Sequence, residues 1–415
     1  MSNSEQSEAG FLSKSDCIVR YEPSQEPLSI EVRSSVRALF ETQIRQCVLR
    51  IFQEFDVTKG RIAIEDDGAL DLVISARVEA VLRQAGYLSQ MKTMSPEKGK
   101  YGVSLVSSNG AGFTQSSRRV RLYMPGDQPH FAVNADFYGA DILIFDLEDS
   151  VAQSRKCEAR ILVRRFLENS FLFRKSARAV RINPLSTEES MLDLAEIVPA
   201  KPDIVLLPKC ETADDIKRLD ALLSEHENRC GTMPGGIQIM PIIETAKGVL
   251  AARGIACASK RTSGLCFGYE DFSRDIQSSS DILGKALLMH SGSMHQIDSL
   301  LARETIVLAA RAAGIEPYDS SYGDIDNTEG LLMSCYEARA LGFAGKSVIH
   351  PSQIPYVRKA FMPTAEELHQ AQAIVAAYEE SFSTGKGAIV VDGQMVDIPV
   401  VEKARRIIEE FDYGE

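Results

Sequence analysis

The chain has no run of apolar residues long enough to cross a membrane, and its N-terminus, MSNSEQSEAG, lacks the basic and then apolar layout of a signal peptide. With a formal net charge of -12 it also lacks the basic surface on which binding to nucleic acid or to anionic membranes depends. These absences predict a soluble, cytoplasmic protein that binds neither nucleic acid nor membranes.

Motifs built on cysteine and histidine are missing too. The eight cysteines are scattered, with no CxxC pair and no histidines at zinc-binding spacing, so we interpret them mainly as reduced thiols of the core. No histidine stands in a recognisable triad arrangement with Ser150, which we therefore expect to cap a helix rather than to act as a nucleophile.

What the chain does have is a regular alternation of predicted strands and helices in its larger, C-terminal part. The strand candidates are RVRLYMP, ADILIFD, ARAVRIN, PDIVLLPK, IQIMPIIE, SGLCFGYED, a weaker IEPYDS, and KSVIH. Eight strands, each usually followed by a helical pattern, predict an α/β fold of the (β/α)8 or TIM barrel type. An open, doubly wound sheet is the alternative, but no glycine-rich phosphate-binding turn follows the first strand.

A smaller region precedes the barrel. Helical patterns at SIEVRSSVRALFETQIRQCVLRIFQEF and DLVISARVEAVLRQAG flank a strand at RIAIE, which predicts a small α+β domain. The segment that follows is rich in serine, glycine and lysine and is typical of a linker. We therefore predict an N-terminal domain of residues 1–86, a linker of residues 87–117 and a barrel domain of residues 118–415.

Polar residues follow the ends of successive predicted barrel strands. They are Asp146, Glu148 and Asp149 after the second strand, Arg181 and Asn183 after the third, Lys209 after the fourth, Glu244 after the fifth and Asp271 after the sixth. In a barrel the carboxyl ends of the strands share one face, so these side chains are expected to converge there. Several acids and two cations at one rim indicate a hard divalent metal ion and an anionic substrate.

The residue types suggest separate roles. Glu244 and Asp271, with no histidine or thiolate nearby, suit Mg2+, which prefers oxygen ligands. Arg181 could hold a substrate carboxylate or offset charge on an enolate, or it could pair with the acids of DLED. Lys209 could serve the substrate or form a structural ion pair, and Glu148 with Asp149 could provide an acid or base.

A set of motifs carries a resemblance to a known family. RLYMPGD, DILIFDLEDSVA, RINP, LLPKCET, PIIETAKG, FGYEDF, LGFAGKSVIHPSQI and VDGQMVDIPVVEKAR resemble, in this order, the citrate lyase beta-subunit family within the HpcH/HpaI aldolase group. The resemblance spans about residues 118 to 410. AGFLSKSDCIVRYEP, IRQCVLRIFQEF and IEDDGALDLVISARVEAVLR resemble the gamma subunit of citrate lyase, an acyl carrier protein, over about residues 9 to 86.

The resemblance implies a Mg2+-dependent retro-Claisen cleavage of a citryl thioester to oxaloacetate and an acetyl thioester. Glu244 and Asp271 match metal ligands, and Arg181 and Glu244 match substrate contacts. Asp397, in MVDIP, resembles a lid aspartate that serves a neighbouring subunit's site, which implies a homo-oligomer. We also expect Asn183 and Lys209 to contact the substrate.

Other functions are compatible with the same rim. A lyase for malyl-CoA or citramalyl-CoA would recognise a related hydroxy acid, and a non-catalytic assembly or binding protein could keep the barrel for partner contacts. A citrate lyase alpha subunit is a possible partner, because in that system it would charge the carrier.

The carrier-like region departs from the family at one position. The serine that carries a phosphoribosyl-dephospho-CoA arm is replaced by Lys14, which stands between Ser13 and Ser15. A lysine cannot form the same phosphodiester, so we predict an unmodified domain and free CoA thioesters as substrates. On this interpretation the barrel should stay active after residues 1–90 are deleted.

Overall fold

A computed structural model describes residues 6–88, 118–278, 297–383, 389–391 and 394–412. The N-terminal region forms a four-stranded sheet in the order β1-β2-β4-β3 with two helices. Its elements are β1 (Ser7–Ala9), β2 (Cys17–Pro27), β3 (Ser29–Ser34), α1 (Arg37–Glu54), β4 (Lys59–Asp66) and α2 (Asp71–Gln84).

Two parts of this sheet differ from the sequence-based prediction. The helix predicted from Ser29 begins only at Arg37, and Ser29–Ser34 instead pairs in parallel with β4. β-Branched residues at alternating positions, Ile30 and Val32, suit a pleated strand better than a helix. The long strand β2 was not predicted, although its buried residues alternate along its first half.

The larger region is a closed barrel of eight parallel strands in chain order, which confirms the predicted TIM barrel and excludes the open sheet. The strands are β5 (Val120–Pro125), β6 (Ile142–Asp146), β7 (Ala177–Arg181), β8 (Ile204–Leu207), β9 (Gln238–Ile243), β10 (Gly264–Phe267), β11 (Glu316–Asp319) and β12 (Gly345–Val348). Each of the eight strands lies within its predicted segment or overlaps it.

The barrel helices are α3 (Pro129–Ala132), α4 (Lys156–Glu168), α5 (Glu189–Ile197), α6 (Ala213–Arg229), α7 (Ala246–Ala256), α8 (Tyr269–Asp275), α9 (Leu300–Ala312), α10 (Thr328–Leu341) and α11 (Ile354–Phe361). A C-terminal extension follows with α12 (Ala365–Ser383), the hairpin strands β13 (Ile389–Val391) and β14 (Gln394–Val396), and α13 (Ile398–Asp412). Over the part of the chain that the structure describes, no helix combines the length and apolar character that crossing a bilayer requires.

Two buried clusters organise the molecule. Small and branched side chains fill the inside of the barrel, among them Ile142, Ala179, Leu206 and Ile242. A larger cluster lies between the barrel and its helices and continues without a break into the N-terminal sheet and helices. The N-terminal region therefore packs directly on the barrel, and the barrel interior leaves its polar groups at the strand ends.

Candidate active site

Asp146 and Arg181 meet at the carboxyl ends of neighbouring strands. They are register partners on β6 and β7, and Arg181 Nε and Nη2 donate to the two carboxylate oxygens of Asp146 at 2.6 Å each. Burial by itself would raise the pKa of Asp146, but the charge of Arg181 outweighs it and holds that pKa below its usual range. The ion pair with the acids of DLED, one of the two alternatives for Arg181, is thus present.

Glu148 lies between two cations. Its Oε1 accepts a hydrogen bond from Lys209 Nζ at 2.5 Å, and its Oε2 lies 3.0 Å from Arg181 Nη1. Burial raises the pKa of Glu148 in spite of both cations. Asp149 points outward, with its side chain 59% exposed and 3.6 Å from the same ammonium group. The structure therefore brings five of the predicted residues together on this side of the rim: Asp146, Glu148, Asp149, Arg181 and Lys209.

Lys209 joins this side of the rim to the next. Its backbone N–H donates to Glu244 Oε1 at 2.6 Å while its side chain reaches Glu148. Its φ of 50° lies in the left-handed region, which is strained for a residue with a side chain. Lys209 thus holds two acids from different strands, one through its backbone and one through its ammonium group.

Glu244 is a buried acid with little compensation. It is 3% exposed, and burial, followed by the negative charge of Asp271, raises its pKa to about 8. Gly268, at the end of β10, makes room for it, because a Cβ at that position would lie 2.5 Å from Glu244 Oε2. The sequence places a glycine where the carboxylate needs the space.

Asp271 lies in the first turn of α8, where it forms an ion pair with Arg274. Asp271, Glu244 and Lys209 line one cavity of about 330 Å3 at this end of the barrel. Within the described ranges no group of three or more histidine, cysteine or acidic side chains is arranged to hold a metal ion. Two carboxylates fit an ion such as Mg2+, which usually keeps several waters and takes further oxygens from its substrate.

Asn183 is placed beneath the rim. Its Oδ1 accepts from Lys156 Nζ at 2.8 Å, and its Nδ2 donates to the Leu147 carbonyl at 2.9 Å and to Asp193 at 2.7 Å. Lys156 Nζ also donates to the Leu147 and Glu148 carbonyls at 2.6 and 2.7 Å. Sequence reasoning missed Lys156, because a lysine in the first turn of an amphipathic helix has the pattern of a surface residue.

Asp397 lies at the start of α13, where its Oδ1 faces the Val400 N–H at 3.4 Å. The far end of this helix contacts the amino end of β5, since Arg119 Nη2 donates to the Glu410 carbonyl at 2.9 Å. The hydrogen bonds and ion pairs of the described residues do not connect Asp397 with the strand-end acids. Its role in the site of a neighbouring copy stays a prediction.

Comparisons with known proteins agree with this arrangement. The family model HpcH/HpaI aldolase/citrate lyase matches residues 119–351, and a model for a C-C bond lyase of the TIM-barrel fold matches residues 294–410. The N-terminal residues 4–85 match an acyl carrier protein model described as the malonate decarboxylase delta subunit.

Individual relatives cover the barrel region. The citrate lyase subunit beta of Haemophilus influenzae is 36% identical, over 72% of this chain and 98% of the relative. The mitochondrial citramalyl-CoA lyase of Mus musculus is 33% identical, over 70% of this chain and 85% of the relative. A crystal structure of the protein CitE from Mycobacterium tuberculosis, in complex with magnesium, acetoacetate and coenzyme A, is 31% identical and has a TM-score of 0.59; the match covers 72% of this chain and 100% of that one. This chain belongs to the HpcH/HpaI aldolase/citrate lyase family.

Proposed function

We propose that the chain is a Mg2+-dependent carbon-carbon lyase that cleaves a citryl thioester to oxaloacetate and an acetyl thioester. The observation that carries the proposal is the cavity shared by Glu244, Asp271 and Lys209, with Arg181 and Glu148 beside it. Acidic and basic groups are combined there at the end of the barrel where TIM-barrel enzymes bind their substrates.

The metal-binding residues are Glu244 and Asp271. The structure supports this assignment because Glu244 is buried next to a second negative charge and receives from the described residues only one backbone N–H. A bound Mg2+ supplies a Lewis acid for the hydroxyl and carboxylate oxygens of the substrate. No cationic side chain among the described residues forms an ion pair with Glu244.

Arg181 and Lys209 supply the positive charge toward the substrate. Cleavage of the carbon-carbon bond leaves a thioester enolate, and a guanidinium that is already fixed in place stabilises such charge without reorganisation. Asp146 fixes the fork of Arg181 through two hydrogen bonds. Lys209 extends a partly exposed ammonium group at the same rim.

The remaining predicted residues have proton-transfer or supporting roles. Glu148 and the exposed Asp149 lie where a proton could be taken from the substrate hydroxyl or returned to the enolate. Asn183, which the sequence analysis expected to contact the substrate, instead positions the loop that carries them, because its carboxamide is engaged by Lys156, Leu147 and Asp193. Asp397 acts in the site of a second copy of this chain, which makes the enzyme a homo-oligomer.

The citryl group is preferred over related acyl groups because the relative from Haemophilus influenzae is matched over almost its whole length. The mouse citramalyl-CoA lyase and the (3S)-malyl-CoA thioesterase of Cereibacter sphaeroides, each 33% identical, give the alternative substrates. The substrate is a free CoA thioester, because Lys14 replaces the serine of the arm. A citrate lyase alpha subunit is therefore not required for turnover.

The test is turnover of citryl-CoA, citramalyl-CoA and (3S)-malyl-CoA by the purified chain, with Mg2+ and with EDTA. We expect the chain to form oxaloacetate and acetyl-CoA from citryl-CoA with Mg2+ and to form neither product with EDTA. Glyoxylate from malyl-CoA or pyruvate from citramalyl-CoA at a higher kcat/KM would reassign the substrate. Release of free CoA without carbon-carbon cleavage would make the chain a thioesterase, and binding of the thioesters without turnover would make it a binding protein.

A further inference from the structure

The helix α2 of the N-terminal domain is buried on every side. All residues from Val73 to Leu82 are buried, including the charged Arg77 and Glu79. A surface helix would expose one face to water, so a helix without an exposed face must be covered by other elements. Its cover on the barrel side is α4, the helix that follows the loop carrying Glu148.

Arg77 lies at the centre of a fully buried set of contacts between the two domains. Its Nε and Nη2 donate to Asp16 at 3.0 and 2.9 Å, and Nη2 also donates to the Asp127 carbonyl at 2.7 Å. Its Nη1 donates to Glu158 Oε2 at 3.0 Å, and the Gly10 N–H donates to the same oxygen at 2.9 Å. Asp127 and Glu158 belong to the barrel, and the other three residues to the N-terminal domain.

Glu79, two residues after Arg77 in α2, forms a second buried set of contacts. Its Oε2 accepts from Arg164 and Arg165 of α4, each with a shortest distance of 2.6 Å, and its Oε1 accepts from Arg83 at 2.6 Å. Arg83 reaches across to Glu196 at 3.0 Å. The interface therefore contains buried ion pairs that cross between the domains, in addition to pairs within each domain.

The first set of contacts leads to the active site. Glu158 lies two residues after Lys156, whose ammonium group holds the carbonyls of Leu147 and Glu148. Arg155, directly before Lys156, pairs with Asp127 and Glu158 at 3.0 Å each, and its guanidinium lies 3.4 Å over the ring of Phe11 from the N-terminal domain. Contacts from the N-terminal domain thus flank the lysine that fixes the loop with Glu148.

We propose that the N-terminal domain is a permanently docked lobe that positions the active-site loop of residues 147–158, with Arg77 as the positioning residue. Undocking would break the buried pairs Arg77–Glu158, Glu79–Arg164 and Glu79–Arg165 and would expose the packed faces of α2 and α4 to water. A carrier must leave its resting position to deliver its substrate. The loop of residues 10–16, which contains Lys14, is instead fixed at both ends through Gly10 and Asp16.

The first test asks whether the domains stay together without a covalent link. A recognition sequence for a site-specific protease is placed within residues 89–117, and the purified full chain is cut. We expect the two fragments to elute together in gel filtration, also at 0.5 M salt, because buried pairs are little affected by screening. Elution as two separate species would overturn the proposal. This test does not depend on the proposed enzymatic function.

The second test measures positioning and rests on the proposed lyase activity. Arg77→Met removes the link to Glu158, while the control Arg83→Met removes an interface arginine that pairs with Glu79 and Glu196 and not with the loop. We expect kcat per folded molecule to fall about ten- to a hundredfold in Arg77→Met, as for a small misplacement of catalytic groups, with KM changed less than about threefold. The control should keep kcat within about twofold of the wild type.

Equal kcat in the two variants and the wild type would overturn the positioning role. If Arg77→Met does not fold, Glu158→Gln replaces it, since the amide keeps an acceptor for Gly10 and removes the charge that pairs with Arg77 and Arg155. Absence of lyase activity in the wild type would reject the proposed function, whereas the elution of the cut chain would still decide whether the lobe is docked. A docked lobe predicts, against the expectation from the sequence, that deletion of residues 1–90 lowers activity, because deletion would expose the side of α4 that packs on α2 and would remove the contacts that flank Lys156.

Discussion

Asp319 and Glu244 are both buried acids of the barrel, and their surroundings are opposite. Asp319 is 1% exposed and accepts from Lys346 Nζ at 2.6 Å and from Arg303 at 3.0 and 3.2 Å. Burial would raise its pKa, but the two cations outweigh burial and hold the pKa below the usual range. Glu244 is 3% exposed and has instead a pKa raised to about 8 by burial and by Asp271.

We interpret the difference as that between a structural acid and the proposed metal ligand. At Asp319 the chain provides two cations of its own, so the charge is satisfied within the fold and stabilises it. At Glu244 the neighbouring charges increase the negative potential, and the open cavity leaves space for a cation from solution. Unrelieved charge in a cavity at the carboxyl ends of the strands indicates ligand binding, whereas relieved charge between helices and strands indicates packing.

The largest effect is expected in the cavity that holds Glu244. Asp271→Ala should lower Mg2+-dependent turnover of citryl-CoA by about a thousandfold or more, because a Lewis acid contributes several kcal/mol of transition-state stabilisation. Circular dichroism should show an unchanged fold. Asp214→Asn, at a side chain that is 85% exposed, is the control and should keep wild-type activity. Full activity of Asp271→Ala at limiting Mg2+ would show that Asp271 is not a ligand.

Arg181 tests whether a cation at the rim acts through its shape as well as its charge. Arg181→Lys should lower kcat/KM about thirty- to a thousandfold, since an ammonium group cannot reproduce the planar fork that Asp146 holds. Arg178→Lys is the matched control on the same strand, where the arginine pairs with Asp203 at the opposite end. Wild-type kinetics for Arg181→Lys would remove Arg181 from the mechanism.

Substitution of Asp319, whose charge is compensated by two cations, should lower stability and leave catalysis unchanged. Asp319→Asn leaves Lys346 without a countercharge and Arg303 with Glu337 at 3.7 Å. We expect a loss of about 3 to 5 kcal/mol in the free energy of unfolding, measured with urea at pH 7. Turnover per folded molecule should stay at the wild-type level. A change in kcat without a change in stability would contradict this assignment.

The ion pairs of Asp319 also predict that the stability of the protein depends on pH. Because the folded pKa of Asp319 lies below its unfolded value, its contribution to stability is fully present above the unfolded pKa of about 3.9. This contribution is lost as pH falls below that value toward the folded pKa. The stability difference between wild type and Asp319→Asn should therefore shrink on acidification below about pH 4, and a constant difference would be inconsistent with the linkage.

The smallest effect is expected at the carrier-like loop, where Lys14 is exposed. Intact-mass measurement of protein from its native host should give the mass of the unmodified chain, and Lys14→Ala should change kcat by less than about twofold. A discrete mass increment on Ser15, together with loss of turnover in Ser15→Ala, would restore a carrier-bound mechanism.

The barrel could be predicted because each of its strands is marked by a local sequence pattern. Each strand is a short apolar run bounded by turn residues, and the polar residues that follow it can be read directly from the sequence. The acids and cations at these ends were therefore found, including Glu244 and Asp271. The N-terminal strand β3 was missed because a helical pattern was extended back across Ser29–Ser34, and β2 was missed although its buried residues alternate.

The support of the site could not be predicted in the same way. Lys156, Arg77 and Glu79 lie in helices, where charged residues usually face solvent. Arg77 and Glu79 are buried where α2 packs on α4, and Lys156 is buried against the loop that follows β6. Their partners are distant in sequence; Arg77, for example, is 81 residues from Glu158. Such pairing depends on the relative position of two domains, which hydrophobic periodicity does not contain.

The left-handed backbone of Lys209 has a consequence for evolution and engineering. A glycine there would relieve the conformational cost of the left-handed backbone, and it would remove the ammonium group that reaches Glu148. We therefore expect Lys209→Gly to be more stable and, on the proposed function, less active. Screens that select variants for heat resistance alone would thus tend to remove activity at this position. The residue marks a trade-off between stability and activity that is localised to a single peptide unit.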